Sequence, residues 1–192
     1  MKLYAVNSEA ALLKKITSGE VGEHPAYEHY LSALILEQTR AQVQAEMIAL
    51  QTDDVVDVPA ISIHLMLKEK LEQNYAERMT EPPRLAQDAL TLAFDNGVMM
   101  EVRYFSNEEY SIRWSCDEYD LCVDTAPVHS RIASFPQHLH GKGNVLLPDD
   151  ITRSGEECWK NFSRLLDRLL SDPLLEKKES VHRTDLSKQS CS

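Results

Sequence analysis

The sequence has no long apolar runs of the kind that form membrane-spanning helices. Its first seven residues, Met1–Asn7, lack the basic region followed by an apolar stretch that marks a secretory signal. No internal repeat is visible either. With 192 residues and 43% hydrophobic content, the chain can still bury one good core or two small ones. We therefore expect a globular protein that makes no membrane contact and resides, by default, in the cytoplasm.

Two signatures of metal-binding or redox proteins are also absent. The four cysteines include no Cys-x-x-Cys pair, so neighbouring thiols in the sequence cannot build a zinc ribbon or a thioredoxin-like motif. The zincin spacing His-Glu-x-x-His does not occur. We expect reduced, mostly structural thiols and no cofactor.

Positive charge is scarce. The 20 lysines and arginines are outnumbered by 31 acidic residues, which gives a formal net charge of −11. This excess of negative charge opposes non-specific adhesion to polyanions such as duplex DNA. A nucleic-acid substrate would therefore need a local basic cleft, whereas a basic partner would suit the acidic surface.

Residues 1–83 have the pattern of a helical region. Ser8 is a candidate N-cap for a short helix over Glu9–Thr17, and Tyr27–Gln51 carries apolar residues at spacings of three and four. A second amphipathic stripe runs from Leu67 to Met79. The simplest arrangement is two long antiparallel helices that bury each other's stripes, although the same surfaces could form a homodimer interface.

After residue 83 the hydrophobic period changes to that of strands. Asp95-Asn96-Gly97 lies between two apolar runs and predicts a hairpin, because Asn and Gly tolerate the positive φ of a primed turn. The segments 90–94, 98–105, 110–116 and 121–124 predict four strands of an antiparallel meander. A capping box that begins at Ser154 then predicts a helix that covers the sheet.

The predicted fold class is therefore α+β: an N-terminal helical region followed by an antiparallel β-meander covered by a C-terminal helix. We divide the chain into a helical region over 1–83, an α+β domain over 84–172 and a polar tail over 173–192, which is predicted to be disordered.

Two segments beyond the fourth predicted strand carry an unusual set of residues. They are Asp124-Thr125-Ala126-Pro127-Val128-His129 and Phe135-Pro136-Gln137-His138-Leu139-His140. Both resemble the signature of the TumE toxin family of bacterial and archaeal toxin–antitoxin systems, which runs approximately D-N-A-P-H-H-x-x-I-x-T-F-P-H-H-K-H. Five residues fall in register, namely His129, Phe135, Pro136, His138 and His140. Three residues depart from the pattern, namely Val128, Gln137 and Leu139.

The similarity extends more weakly from about Val98 to about Leu170. It implies a toxin that is neutralised by a helix-turn-helix antitoxin through direct binding. The departures allow a second interpretation, in which the chain is a diverged, inactive relative that kept the fold.

The histidines also suggest a chemistry of their own. His138 and His140 are two residues apart, so in an extended backbone both side chains project to the same face. A pair of imidazoles can act as general base and general acid near neutral pH, as cleavage of RNA at the ribose 2′-hydroxyl requires. The leading hypothesis is a metal-independent ribonuclease whose active surface is a partly exposed loop from His129 to Lys142. The candidate catalytic residues are His138, His140, His129 and Arg113, and the candidate substrate-binding residues are Arg103, Arg131, Lys142 and Asp124.

Three alternatives stay open at this point. The histidines can simply cap loop backbone groups and pack on Phe135. Together with Asp124 they can form a metal site of the type that zinc, manganese or iron accepts. The chain can also be a non-enzymatic binding protein that recruits a partner through its helical region. The four remaining histidines have no assigned role in any of these hypotheses; they are His24, His29, His64 and His182.

Overall fold

A computed structural model of the chain describes residues 2–52 and 62–176. The linker at 53–61 and most of the predicted tail, which includes His182 and Cys191, lie outside the described residues. The helices are α1 (Glu9–Thr17), α2 (Glu23–Thr52), α3 (Ile63–Asn74) and α4 (Cys158–Ser171). The strands are β1 (Arg84–Leu85), β2 (Leu90–Ala93), β3 (Met99–Tyr104), β4 (Tyr110–Cys116), β5 (Tyr119–Asp124), β6 (His138–Gly141) and β7 (Val145–Pro148).

The seven strands form one antiparallel sheet in which each strand pairs with the next along the chain. The predicted α+β class is confirmed. The predicted hairpin is also present, since Phe94 N–H donates to the Val98 carbonyl at 2.9 Å and Gly97 adopts a φ of +83°. The four predicted strands correspond to β2–β5, whereas β1, β6 and β7 were not predicted.

One face of the sheet carries the main apolar core. Trp114 and Tyr110 of β4 point into it, where they are joined by Phe162 and Leu165 of α4. Trp114 Nε1 also donates to the Pro173 carbonyl at 2.8 Å, which satisfies its buried polar atom. Strand alternation places the polar side chains of β4 on the opposite face.

The two long helices lie on different faces of this sheet, so the predicted antiparallel pair is wrong. Leu67 and Leu71 of α3 belong to the main core together with α4. By contrast, α2 contacts the polar face, where its Leu31 packs in a second, smaller core with Leu12 and Ile16 of α1. The apolar side chains that α3 and the first part of α2 bury therefore pack against the sheet, α4 or α1 rather than against the other long helix.

The helix N-termini partly follow the prediction. Ser8 Oγ accepts a hydrogen bond from Ala11 N–H at 3.2 Å, which confirms it as the N-cap of α1. For α4 the predicted Ser154 cap is wrong. The N-cap is Glu157, whose carboxylate accepts hydrogen bonds from the amides of Trp159 and Lys160 at 3.0 and 2.9 Å.

Among the described cysteines, Cys116, Cys122 and Cys158 are all buried free thiols. Within residues 2–52 and 62–176, no helix combines the length and the apolar character needed to cross a membrane.

Candidate functional site

The polar face of β5 and β6 carries the histidines of the motif. The antiparallel register pairs Asp124 with His138 and Cys122 with His140, so these side chains share one face, while Leu139 points to the apolar core. The shared face predicted for His138 and His140 is confirmed. The predicted exposed loop is wrong at this point, because both residues lie in a strand with 0% and 7% of their surface exposed.

Helix α2 covers this face and contributes Glu23. Glu23 Oε1 accepts a hydrogen bond from His138 Nε2 at 2.8 Å, and Oε2 accepts one from His129 Nε2 at 2.7 Å. His140 Nε2 lies 3.5 Å from Glu23 Oε2. The three histidines of the motif thus converge on one carboxylate that belongs to the helical region of the chain.

Asp124 supplies a second carboxylate beneath the histidines. It is fully buried, and its Oδ1 accepts a hydrogen bond from Ala126 N–H at 2.9 Å. The Cys122 thiol donates to Oδ2 at 3.5 Å. His138 Nε2 lies 3.4 Å from Oδ1 and His140 Nε2 lies 3.7 Å from Oδ2. Asp124 is therefore held in place by its own turn and strand and faces the imidazoles.

His24, which has no role in any of the sequence-based hypotheses, joins the same cluster. Its Nδ1 donates to Glu28 Oε1 at 2.8 Å, while its Nε2 lies 3.4 Å from Asp124 Oδ2. Arg113 Nη1 donates to the same Glu28 oxygen at 3.0 Å. The rings of His24 and His140 meet edge to face with centroids 4.5 Å apart. Arg113 is thereby connected to the cluster through Glu28 and His24.

Charge is distributed unevenly over the two central carboxyls. Burial opposes ionisation of Glu23, but the hydrogen bonds from His138 and His129 and the nearby His140 imidazole outweigh burial and lower the pKa of this carboxyl. Burial also disfavours the charged form of His138, yet Glu23 and Asp124 raise its pKa above the usual value. For Asp124, burial outweighs the attraction of His138 and raises the pKa. Negative charge is therefore held most firmly at Glu23.

The other predicted cations occupy different surroundings. Arg131 is exposed and lines, with His129, a groove of about 240 Å³ beside the cluster. Arg103 donates to Asp88 at 3.2 Å and to Glu101 at 2.7 Å. Lys142 lies 4.2 Å above the ring of Tyr119 and 3.5 Å from Glu176. Of the four cations, Arg113 and Arg131 adjoin the histidines, whereas Arg103 and Lys142 make their contacts elsewhere.

Glu23, His24 and Glu28 are the site residues that sequence reasoning did not find. The acidic residue at the start of α2 is adequately explained by the helix dipole, and His24 precedes a proline that breaks the chain locally. Neither the acidic residue nor the proline predicts a contact of α2 with strands β5 and β6, which follow much later in the chain. A signal for these three residues arises only once α2 is known to cover the polar face of the sheet.

Two overlapping sets of four side chains could hold a metal ion. In each set, one nitrogen or oxygen atom per residue lies within 4.8 Å of the others. The first set is Glu23, His129, His138 and His140, and the second is Glu23, His24, Asp124 and His140. Imidazole nitrogens and carboxylate oxygens are ligands that zinc, iron and manganese accept.

Fold and site together define an α+β protein with a largely buried histidine–carboxylate cluster between a helix and the polar face of an antiparallel sheet. No family model, curated protein or solved structure matches this chain.

Proposed function

We propose that this chain is the toxin of a toxin–antitoxin module and that it cleaves RNA at the histidine–carboxylate cluster. The observation that carries the proposal is the convergence of His129, His138 and His140 on Glu23. These are the three histidines that the TumE signature shares with the sequence. Their convergence favours one common role over three separate structural roles.

The groups in the cluster suit cleavage of a phosphodiester bond. Such cleavage needs a base that accepts the proton of the ribose 2′-hydroxyl and an acid that protonates the leaving 5′-oxygen. Imidazoles next to carboxylates can supply both functions. The guanidinium of Arg113 is suited to stabilise the negative charge that develops on the phosphorus-bound oxygens.

The side chains of the cluster differ in exposure. The His138 side chain is completely buried, whereas those of His129, His24 and Arg113 are 30%, 22% and 38% exposed. RNA would therefore approach at His129, where the neighbouring Arg131 is the nearest exposed cation in sequence. A local cation is needed because the net charge of −11 repels RNA from most of the surface.

The proposal includes a helix-turn-helix antitoxin that binds this chain directly and blocks it. Expression of the chain alone in a bacterial host tests the toxin. We expect growth arrest and loss of RNA, and we expect His129→Gln to relieve both. The matched control is His29→Gln, since His29 is an exposed histidine of α2 that bonds to Tyr4 rather than to the cluster. Circular dichroism verifies that both variants are folded. Absence of arrest, or arrest that persists in His129→Gln, would contradict the proposal.

The outer part of α2 favours a second candidate, a non-enzymatic binding protein that can also form a homodimer. Between residues 36 and 50 no side chain of α2 is buried. Leu36, Val43, Met47 and Leu50 share one helical stripe and are 42%, 48%, 57% and 85% exposed. The same growth assay separates the candidates: Met47→Glu would relieve arrest and His129→Gln would not if partner binding were the activity.

A further inference from the structure

Two imidazoles of the cluster contain buried nitrogens without hydrogen-bond partners. They are Nε2 of His24 and both ring nitrogens of His140. Only 9% of the His140 side chain is exposed, and its Nε2 points at the two central carboxylates. Among the described residues, the buried side-chain atoms that lack a partner belong to His24, Glu28 and His140. Such atoms are rare in folded proteins, and their concentration here favours a bound ligand between these groups.

The separations between these atoms suit a tetrahedral ion. Zinc binds nitrogen and oxygen ligands at about 2.0–2.1 Å, which places two ligand atoms of a tetrahedron roughly 3.3–3.4 Å apart. His24 Nε2 lies 3.4 Å from Asp124 Oδ2, and His140 Nε2 lies 3.5 Å from Glu23 Oε2 and 3.7 Å from Asp124 Oδ2. These distances are too long for good hydrogen bonds but close to the edges of such a tetrahedron.

The contacts of His129 and His138 have a different character. Their Nε2 atoms lie 2.7 and 2.8 Å from the oxygens of Glu23, which is the length of a hydrogen bond. Both residues therefore act as donors that orient Glu23. This separates them from His24 and His140, whose Nε2 atoms lack such a bond.

The surroundings of His24 also suit a metal ligand. Its Nδ1–H donates to Glu28, so in the neutral imidazole that binds a metal the Nε2 lone pair is directed at Asp124. A lone pair that faces a carboxylate oxygen is repelled unless a cation lies between them. Glu28 is in turn held by Arg113. A histidine ligand whose second nitrogen donates to a carboxylate is the usual arrangement around protein-bound metals.

We infer that the chain binds one divalent transition metal ion of the zinc class between Glu23 and Asp124, with His24 and His140 as the nitrogen ligands. This departs from the metal-free mechanism expected from the sequence, and it places His24, a residue outside the motif, in the ligand set. The ion is inferred from the geometry alone. Its part in RNA cleavage, as a Lewis acid for a phosphate oxygen, rests on the proposed function.

Metal titration of the purified protein tests the inference. The protein is stripped with EDTA, dialysed, and titrated with ZnCl₂ and separately with CoCl₂, whose visible absorption reports tetrahedral coordination. We expect one ion per chain. His24→Gln should lower the affinity at least about 100-fold, and Glu28→Gln, which removes the support of His24, should lower it about 10- to 100-fold. His129→Gln removes a donor to Glu23 but no ligand, so it should still bind one ion, as should the control His29→Gln.

Three outcomes would overturn the inference. They are no saturable binding of either ion, unchanged affinity in His24→Gln, or loss of binding in His129→Gln while His24→Gln still binds. His24 is 22% exposed, so its substitution should leave the fold intact, which circular dichroism verifies. The growth assay is read separately. Metal binding without growth arrest would support the metal site and contradict the toxin function. Growth arrest without metal binding would support the toxin function and contradict the metal site.

Discussion

Glu23, at the start of α2, accepts a hydrogen bond of 2.8 Å from His138 in β6. The two residues are 115 positions apart, so this bond joins the helical region directly to the strand that carries the motif. Because Glu23 also binds His129, removal of the helical region would leave both histidines without their common acceptor. The start of α2 is thus part of the site.

The first prediction concerns the strength of this link. Glu23→Gln keeps the size of the side chain but removes its charge, so the buried His138 would lose a charged acceptor. We expect the free energy of unfolding to fall by about 1–3 kcal/mol at pH 7. Urea unfolding in the presence of EDTA measures the change without interference from metal. Glu20→Gln is the control, because Glu20 is 61% exposed in its ion pair with Lys15 and should change stability by less than about 1 kcal/mol. Equal stability of Glu23→Gln and the parent chain would show that the link is not stabilising.

Local chemistry explains which parts of the fold could be predicted. The Asp95–Gly97 turn is specified by residues that tolerate positive φ, and the apolar alternation of β3 and β4 is long enough to be recognised. Strand β6 has only Leu139 on its apolar face between two histidines, so its hydrophobic pattern is too short to identify a strand.

The site could be predicted only in part, for a different reason. The motif identified His129, His138, His140 and Asp124 from residues close together in the chain. Glu23 and His24 enter the site because α2 lies on the polar face of the sheet, and that placement depends on long-range packing. No local pattern in a single sequence encodes such a contact.

The second prediction is a pH dependence of stability that comes from His64. This buried imidazole accepts a hydrogen bond from Tyr104 N–H at 3.0 Å. Burial, opposed by Asp88 and assisted by Arg103, lowers its pKa from 6.5 to about 4. Below pH 6.5 the unfolded chain therefore takes up a proton that the folded chain excludes until about pH 4. The contribution to stability is complete above pH 6.5 and is lost as the pH falls through this window.

At about 1.4 kcal/mol per pH unit, the parent chain should lose roughly 3 kcal/mol more between pH 7 and pH 4 than a His64→Gln variant. Glutamine retains an acceptor for Tyr104 N–H but does not titrate. Urea midpoints recorded across this pH range give the difference, and His29→Gln serves as an exposed histidine control. Parallel pH profiles for the parent and His64→Gln would refute this assignment.

The third prediction tests the N-cap of α4. The Glu157 carboxylate accepts two backbone hydrogen bonds at the start of the helix, so Glu157→Ala should destabilise the protein by about 1 kcal/mol. Ser154, which the sequence suggested as the cap, makes no such bond to the helix, and Ser154→Ala should change stability by less than about 0.5 kcal/mol. Thermal or urea unfolding compares the two variants. A larger loss of stability in Ser154→Ala than in Glu157→Ala would contradict the assignment of Glu157 and support Ser154 as the N-cap.

The fourth prediction tests whether α3 belongs to the core of the sheet. Leu71 is completely buried against the main apolar cluster, so Leu71→Ala should leave a cavity and destabilise the protein by about 2–4 kcal/mol. Leu65 lies on the same helix but is 39% exposed, and Leu65→Ala should cost less than about 1 kcal/mol. If α3 instead formed a separate unit, Leu71→Ala would melt the helix and leave the sheet intact. Urea unfolding followed by both circular dichroism and the fluorescence of Trp114 and Trp159 distinguishes these cases, because a shared core requires the two signals to shift together.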